Sequence, residues 1–192
     1  MRPTTFPYAL LMALIEIWLA SAQASVAAPL ATTQFKLDSL VGTWFEIAHI
    51  PNAIEHGHVA SKNTYERLKN GRLRVCYSYR EGFHQDEQMT CAPIHFHANG
   101  DHRDWHVWIF HIFPIHQRIM EIAPDNSWLL ITMPGHDLAW IMARSAKMDR
   151  AQYHSLVIKL RDEYGIYTDK LQRIAQVPEQ ENQLGFEAAK IP

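Results

Sequence analysis

Imidazole is the reactive group this chain carries in excess, with 12 histidines among 192 residues. Four of them, His95, His97, His102 and His106, lie with Asp104 in one short stretch around Asn99-Gly100. Asn-Gly between alternating apolar and polar residues signals a two-residue hairpin turn. Such a turn pairs Ala98 with Asp101, His97 with His102, His95 with Asp104 and Pro93 with His106. Side chains alternate across a strand. One face then carries Ala92, Ile94, Phe96, Trp105, Val107 and Ile109, and the other carries Cys91, His95, His97, His102, Asp104 and His106. The apolar face belongs inside and the histidine face outside, and a slip by one residue would exchange them. Imidazoles with a carboxylate can hold zinc or copper. The plainer reading is a solvated outer face that gains charge below about pH 6.5.

Cys76 and Cys91 are the two cysteines of the chain. In an oxidising compartment such a pair forms a disulfide, and two buried free thiols are the alternative. Setting Cys76 opposite Cys91 also sets Tyr79 opposite Gln88, with residues 80–87 as the loop. Directly opposed positions bring their Cβ atoms near the separation a disulfide needs. Cys76 then shares the outer face with Arg74, Ser78 and Arg80, while Val75, Tyr77 and Tyr79 point inward. Both hairpins therefore predict an apolar, aromatic interior, with Tyr77, Tyr79, Ile94, Phe96, Trp105, Val107 and Ile109 as candidate cavity wall. Tyr and Trp add a polar handle to such a wall. Covalent chemistry has no comparable support: Gly-x-Ser-x-Gly, His-Glu-x-x-His and a phosphate-cradling glycine loop are all missing, so neither an enzyme nor a bound cofactor is expected.

These residues need strands to position them. Short strand-like runs cover 60–68, 72–79, 88–97, 103–111, 117–123, 128–133 and 138–144; with the run that opens at Gly42 they make an expected eight. Turn chemistry separates them at Asn70-Gly71, Asn99-Gly100, Pro124-Asp125-Asn126-Ser127 and Pro134-Gly135-His136-Asp137. The period then changes. Asp149 can cap a helix that reaches Tyr164 and stops at Gly165, with Tyr153, Leu156, Val157, Leu160 and Tyr164 on one stripe. A short strand-like piece follows at 170–175. The order of many strands, one helix and a last strand predicts an all-β fold: an eight-stranded antiparallel up-and-down barrel with one C-terminal flanking helix and a short final strand.

The ends read differently. Arg2, the apolar run 8–20 and Ala22-Gln23-Ala24 form a signal-peptide pattern over 1–24, interrupted by Glu16. Residues 25–36 read as a lead-in, 37–178 as the folded domain and 179–192 as a flexible polar tail. No cysteine precedes Cys76, so no thiol is present for an acyl anchor, and membrane association is at most peripheral. An exported protein, periplasmic or extracellular, is expected. A net charge of -2 offers no field for nucleic acid.

Gly42-Thr43-Trp44-Phe45-Glu46-Ile47-Ala48-His49, followed by Ile54-Glu55-His56-Gly57, resembles the lipocalin family, in particular its bacterial lipocalin and apolipoprotein D branch. There the pattern runs Gly-Thr-Trp-Tyr-Glu-Ile-Ala-Arg, then Phe-Glu-x-Gly. Thr64-Tyr65, Pro134 with Asp137, Trp140-Ile141-Met142-Ala143-Arg144, Tyr164-Gly165-Ile166 and Lys170-Leu171 fall in step, so the likeness spans about 37–178. Departures are the missing lipobox cysteine, Ile54 for phenylalanine, His49 for arginine, and a second motif near Asp125 that is not recognisable.

The resemblance implies a barrel closed at one end, where Gly42, Trp44 and Arg144 form a structural signature with the guanidinium stacked on the indole. It implies a fatty acid, lysophospholipid or similar small hydrophobic ligand in the cavity, in the service of envelope maintenance, and it leaves homodimerisation open. Glu46 shares a strand face with Trp44, and either meets a ligand head group or pairs with Arg144 or another cation. Two further functions stay open beside the carrier: a metal- or haem-binding barrel using His95, His97, His102, Asp104 and His106, and a partner-binding barrel whose interior is filled by side chains.

Overall fold

The computed structural model describes residues 35–97, 102–109, 113–135 and 137–189. The expected signal segment, most of the lead-in and the Asn99-Gly100 turn lie outside these residues, as does the side chain of Ile109. Strands β1 (Gly42–His49), β2 (Val59–Arg67), β3 (Leu73–Arg80), β4 (Gln88–Phe96), β5 (Asp104–Ile109), β6 (Phe113–Ile122), β7 (Trp128–Met133) and β8 (Leu138–Ala143) precede helix α1 (Arg150–Asp162) and a two-residue strand β9 (Gln172–Arg173). Each of the eight pairs antiparallel with its sequence neighbour, and β1 also pairs with β8, so the sheet closes. The fold is a closed eight-stranded antiparallel barrel with one helix and an added ninth strand.

The last strand enters where β1 and β2 part. β1 pairs with β2 over Gly42–Phe45, and beyond a bulge between Glu46 and Ala48 it pairs with β9. Ile174 donates its amide to the Ile47 carbonyl, Ala60 donates to Ala175, and the Gln176 side chain donates to the carbonyls of Glu46 (2.7 Å) and Ser61 (3.0 Å). The chain from β9 thereby satisfies backbone groups that the splayed strands would leave open.

Two apolar clusters divide the chain. One lies inside the barrel and includes Trp44, Tyr65, Trp105, Ile119, Leu129, Ile131, Trp140 and Met142. The other lies between the barrel wall and α1 and includes Leu130, Ala139, Ile141, Ala143, Leu156 and Leu160. β7 and β8 serve both clusters on alternate residues, which is why they read as unbroken apolar runs. Asp149 accepts the Gln152 amide at 2.9 Å to start α1, and Gly165, at φ +67°, lets the chain turn after it.

In the β3–β4 hairpin Cys76 faces Cys91 and Tyr79 faces Gln88. Cys76 and Cys91 form a disulfide. It closes a loop of 15 residues in sequence, worth roughly 3 kcal/mol in the chain-entropy account. The double variant Cys76→Ser/Cys91→Ser should therefore lose about 3 kcal/mol of unfolding free energy, read from its urea midpoint; an unchanged midpoint would show that the unfolded chain gains nothing from release.

The β4–β5 hairpin differs from expectation. His95 pairs with His106, Ile94 with Val107 and Phe96 with Trp105, two residues away from the register that a two-residue Asn99-Gly100 turn would set. The connection is longer, and His102 adopts φ +61° before β5 begins. A shift by two keeps side-chain parity, so Ile94, Trp105 and Val107 are still buried inside the barrel. The stretch expected as a flexible tail also lies back on the barrel: Phe186 bridges to Arg173, and Glu187 is 3% exposed.

Candidate functional site

The floor of the barrel is a compact lock. Arg144 stacks on Trp44, 3.7 Å from the ring centroid, and donates to the carbonyls of Ser39 (2.8 Å), Val41 (2.9 Å) and Thr43 (2.9 Å). The Trp44 indole N–H donates to the Leu40 carbonyl at 2.8 Å. Gly42 has φ +104°, and a Cβ there would lie 2.9 Å from Arg144 Nη1, so two constraints act on this position at once. With every guanidinium contact directed at backbone and indole, Arg144 does not serve Glu46.

Towards the other end a cavity of about 410 Å³ opens inside the barrel. Val75, Val107, Ile115, Met133, Leu138 and Trp140 give it an apolar wall, and Asn52, Glu55, Asn63 and Gln117 supply its polar groups. Asn52, Glu55 and Gln117 are tied down. Glu55 Oε2 accepts from the Trp140 indole (2.8 Å) and from Asn52 Nδ2 (2.6 Å), and Gln117 Oε1 accepts from the Trp105 indole (3.2 Å). Ala53 and Ile54, in the β1–β2 loop, complete the rim.

Behind Glu55 lies a buried charge cluster. His49 Nδ1 is 2.5 Å from Glu46 Oε1 and 3.7 Å from Glu55, and its Nε2 is 2.6 Å from Glu187 Oε2. Glu187 also accepts from the Gly57 amide (3.0 Å) and bonds the His56 ring. Glu46, His49 and Glu187 are all almost fully buried. Burial by itself would depress the His49 pKa, but the Glu46 charge and the hydrogen bonds of Glu187 and Glu46 outweigh it and push the group up to about 10. The His49 ring is thereby held as an imidazolium. Burial and the Glu46 charge raise the Glu55 carboxyl to about 7, against the pull of His49, Asn52 and Trp140. Burial would raise Glu187 too, yet its bonds to His49, Gly57 and His56 hold it below the usual carboxylate range.

The candidate wall residues separate by depth. Val107 lines the cavity. Trp105 packs edge-on against Tyr65 and Phe96 in the filled part of the barrel; Ile94 and Phe96 lie towards Leu37 and Leu73, and His102 packs its edge on Phe96 instead of joining the other histidines. Tyr77 and Tyr79 form a stack with the buried His58, whose Nδ1 is 2.9 Å from the Tyr77 hydroxyl. Glu46 binds His49 and not a free head-group position. Of the proposed metal set, His97 and His106 approach each other, but His95 and His102 do not join them; Asp104 turns to His116 and Arg118. The expected strand at 117–123 excludes His116, whereas β6 begins at Phe113 and pairs His116 with His106. Met133 and Leu138 face inward by the alternation of β7 and β8, but their place at the cavity depends on the stagger of the closed barrel, whereas the Asn52-x-x-Glu55 turn, with Asn52 Oδ1 accepting two amides, is a readable local signal.

A closed eight-stranded barrel with a locked floor, an apolar cavity and a polar rim defines a cavity-type β-barrel protein. Residues 35–176 match the Lipocalin-like domain family, and the chain belongs to that family. It is 25% identical over 147 residues to temperature-induced lipocalin-1 of Arabidopsis thaliana, covering 73% of this chain and 78% of the plant protein. Among solved structures it resembles lobster apocrustacyanin A1 (TM-score 0.60, 13% identity, 74% of this chain and 80% of that one). Insecticyanin of the tobacco hornworm Manduca sexta is similar in fold (TM-score 0.59, 13% identity, 73% and 80%).

Proposed function

We propose that this protein carries one small hydrophobic molecule in its barrel and performs no chemistry on it, with a fatty acid or lysophospholipid as the fitting class. The observation that supports this most is the 410 Å³ cavity, apolar along its wall and polar at its rim. Its size falls within the roughly 300–1,000 Å³ of small-molecule sites. An acyl chain would lie along Val75, Val107, Ile115 and Leu138, with its head near Asn52, Asn63 and Glu55. A Glu55 carboxyl with a pKa near 7 can donate a hydrogen bond in its neutral form, which lowers its repulsion of an anionic head. The likeness to the bacterial lipocalin and apolipoprotein D branch supports the same ligand class. The disulfide fits an exported protein in the periplasm or outside the cell, and no helix among the described residues is long and apolar enough to cross a membrane.

Native mass spectrometry of the mature protein, before and after mild delipidation, tests the reading. A mass increment of a fatty acid or lysophospholipid, lost on delipidation and regained on adding lipid, is expected. No increment and no uptake of added lipid would overturn it. Val107→Trp should fill the cavity and weaken binding of a fluorescent fatty acid at least tenfold, about 1.4 kcal/mol, while the barrel stays folded by circular dichroism. Unchanged affinity would place the ligand elsewhere.

A further inference from the structure

The outer wall of the barrel holds a cluster of ligating groups that takes no part in the cavity. His97 follows β4, His106 lies on β5 and His116 on β6. His106 is paired with His95 on one side and His116 on the other. One row along, the His97 amide donates to the Asp104 carbonyl, and Asp104 pairs with Arg118. The His97 ring therefore reaches the other two diagonally. Its centroid is 4.5 Å from that of His106 and 5.1 Å from that of His116, and those two rings are 4.9 Å apart. One ring nitrogen of each histidine lies within 4.8 Å of a ring nitrogen on both others. His116 Nε2 is buried without a hydrogen-bond partner; Asp104 Oδ1 stands 3.4 Å away, and Arg118 holds the other carboxylate oxygen at 3.3 Å.

This arrangement is what a borderline metal ion uses. Neutral imidazole nitrogens suit zinc and its neighbours, and three on a rigid scaffold leave a fourth position for water. Nitrogens about 2.0–2.1 Å from a tetrahedral ion are about 3.3 Å from one another. Rotation of the rings about their side-chain torsions closes the remaining gap, because His97 is exposed and the other two are only half-buried. A carboxylate beside a ligand histidine is the usual outer partner that fixes its ring. The other group of this kind among the described residues, Glu46, His49 and Glu55, already spends its atoms on each other, on Glu187 and on Trp140. We propose that His97, His106 and His116 form a surface site for a divalent transition-metal ion of the zinc type, with Asp104 positioning His116.

The test uses protein without a histidine tag, stripped with chelator and titrated with Zn²⁺ by calorimetry, with native mass spectrometry for stoichiometry. One ion per chain is expected. Asp104→Asn should weaken binding roughly 10-fold, the low end of what loss of an outer partner costs, His106→Ala and His116→Ala should each weaken it more than that, and His95→Ala and His102→Ala should leave it within about twofold. Thermal unfolding without metal establishes that each variant is folded, and added Zn²⁺ should raise the midpoint of the parent but not of His116→Ala. No saturable uptake, or uptake that survives both His106→Ala and His116→Ala, overturns the proposal.

Discussion

His49→Ala should lower the unfolding free energy by about 3–5 kcal/mol near neutral pH, the cost of removing one member of a buried ion pair. The variant leaves Glu46 and Glu187 buried without the imidazolium that both bind. The loss should depend on pH in a defined way. The folded His49 pKa, about 10, lies above its ordinary 6.5. Its contribution is therefore complete below pH 6.5 and disappears as the pH rises towards 10. Glu187 is held below its ordinary 4.5, so its contribution is present above that pH and is lost on acidification. The gap between parent and variant should be widest between about pH 4.5 and 6.5 and narrow on both sides. Glu55, raised to about 7, binds a proton in the folded state that the unfolded chain releases from pH 4.5 upward. It makes the parent lose stability across that window, and Glu55→Gln should flatten that part of the curve. Urea midpoints measured from pH 4 to 10 check these statements together. A gap that stays constant with pH would mean that His49 matters for packing and not for charge.

Trp44→Ala should cost about as much, roughly 3–5 kcal/mol, for a different reason. The indole is fully buried at the floor, and its removal leaves a void under a guanidinium that loses its stacking surface. Arg144→Met keeps part of the volume but abandons the carbonyls of Ser39, Val41 and Thr43. In a double-mutant cycle the two changes should couple by about 0.5–3 kcal/mol, because each removes the other's partner. Additive losses would show that the stack contributes nothing beyond its separate contacts. Fatty-acid binding by folded Arg144→Met should remain close to the parent's, since the cavity lining does not include the lock.

The two effects originate at different levels. What Trp44 and Arg144 do was legible in the sequence as a family resemblance, and the alternation of β4 and β5 was legible from the residues themselves. Side-chain parity is a local property with period two. It assigned Ile94, Trp105 and Val107 to the interior even though the hairpin register differs by two residues from the one Asn99-Gly100 suggests. The Cys76–Cys91 pairing was readable because one covalent requirement fixes a whole register. The helix stripe and the paired apolar faces of β7 and β8 follow from the same periodic arithmetic. Depth along the barrel axis does not. Whether an inward residue fills the floor, as Trp105 does, or lines the cavity, as Val107 does, depends on how the strands are staggered when β1 meets β8. The partners of charged groups follow the same rule. His49 and Glu187 are separated by 138 residues, and nothing near either in the chain announces the other. Only closure of the barrel, with β9 inserted beside β1, brings the last carboxylate to the first strand, and only strand pairing across β5 and β6 turns His116 towards His106. Alternation is local, so the sequence alone assigns a side to strand residues away from the bulges in β1, β2 and β6. The tertiary structure decided which facing residues meet, because that depends on stagger and closure of the whole sheet.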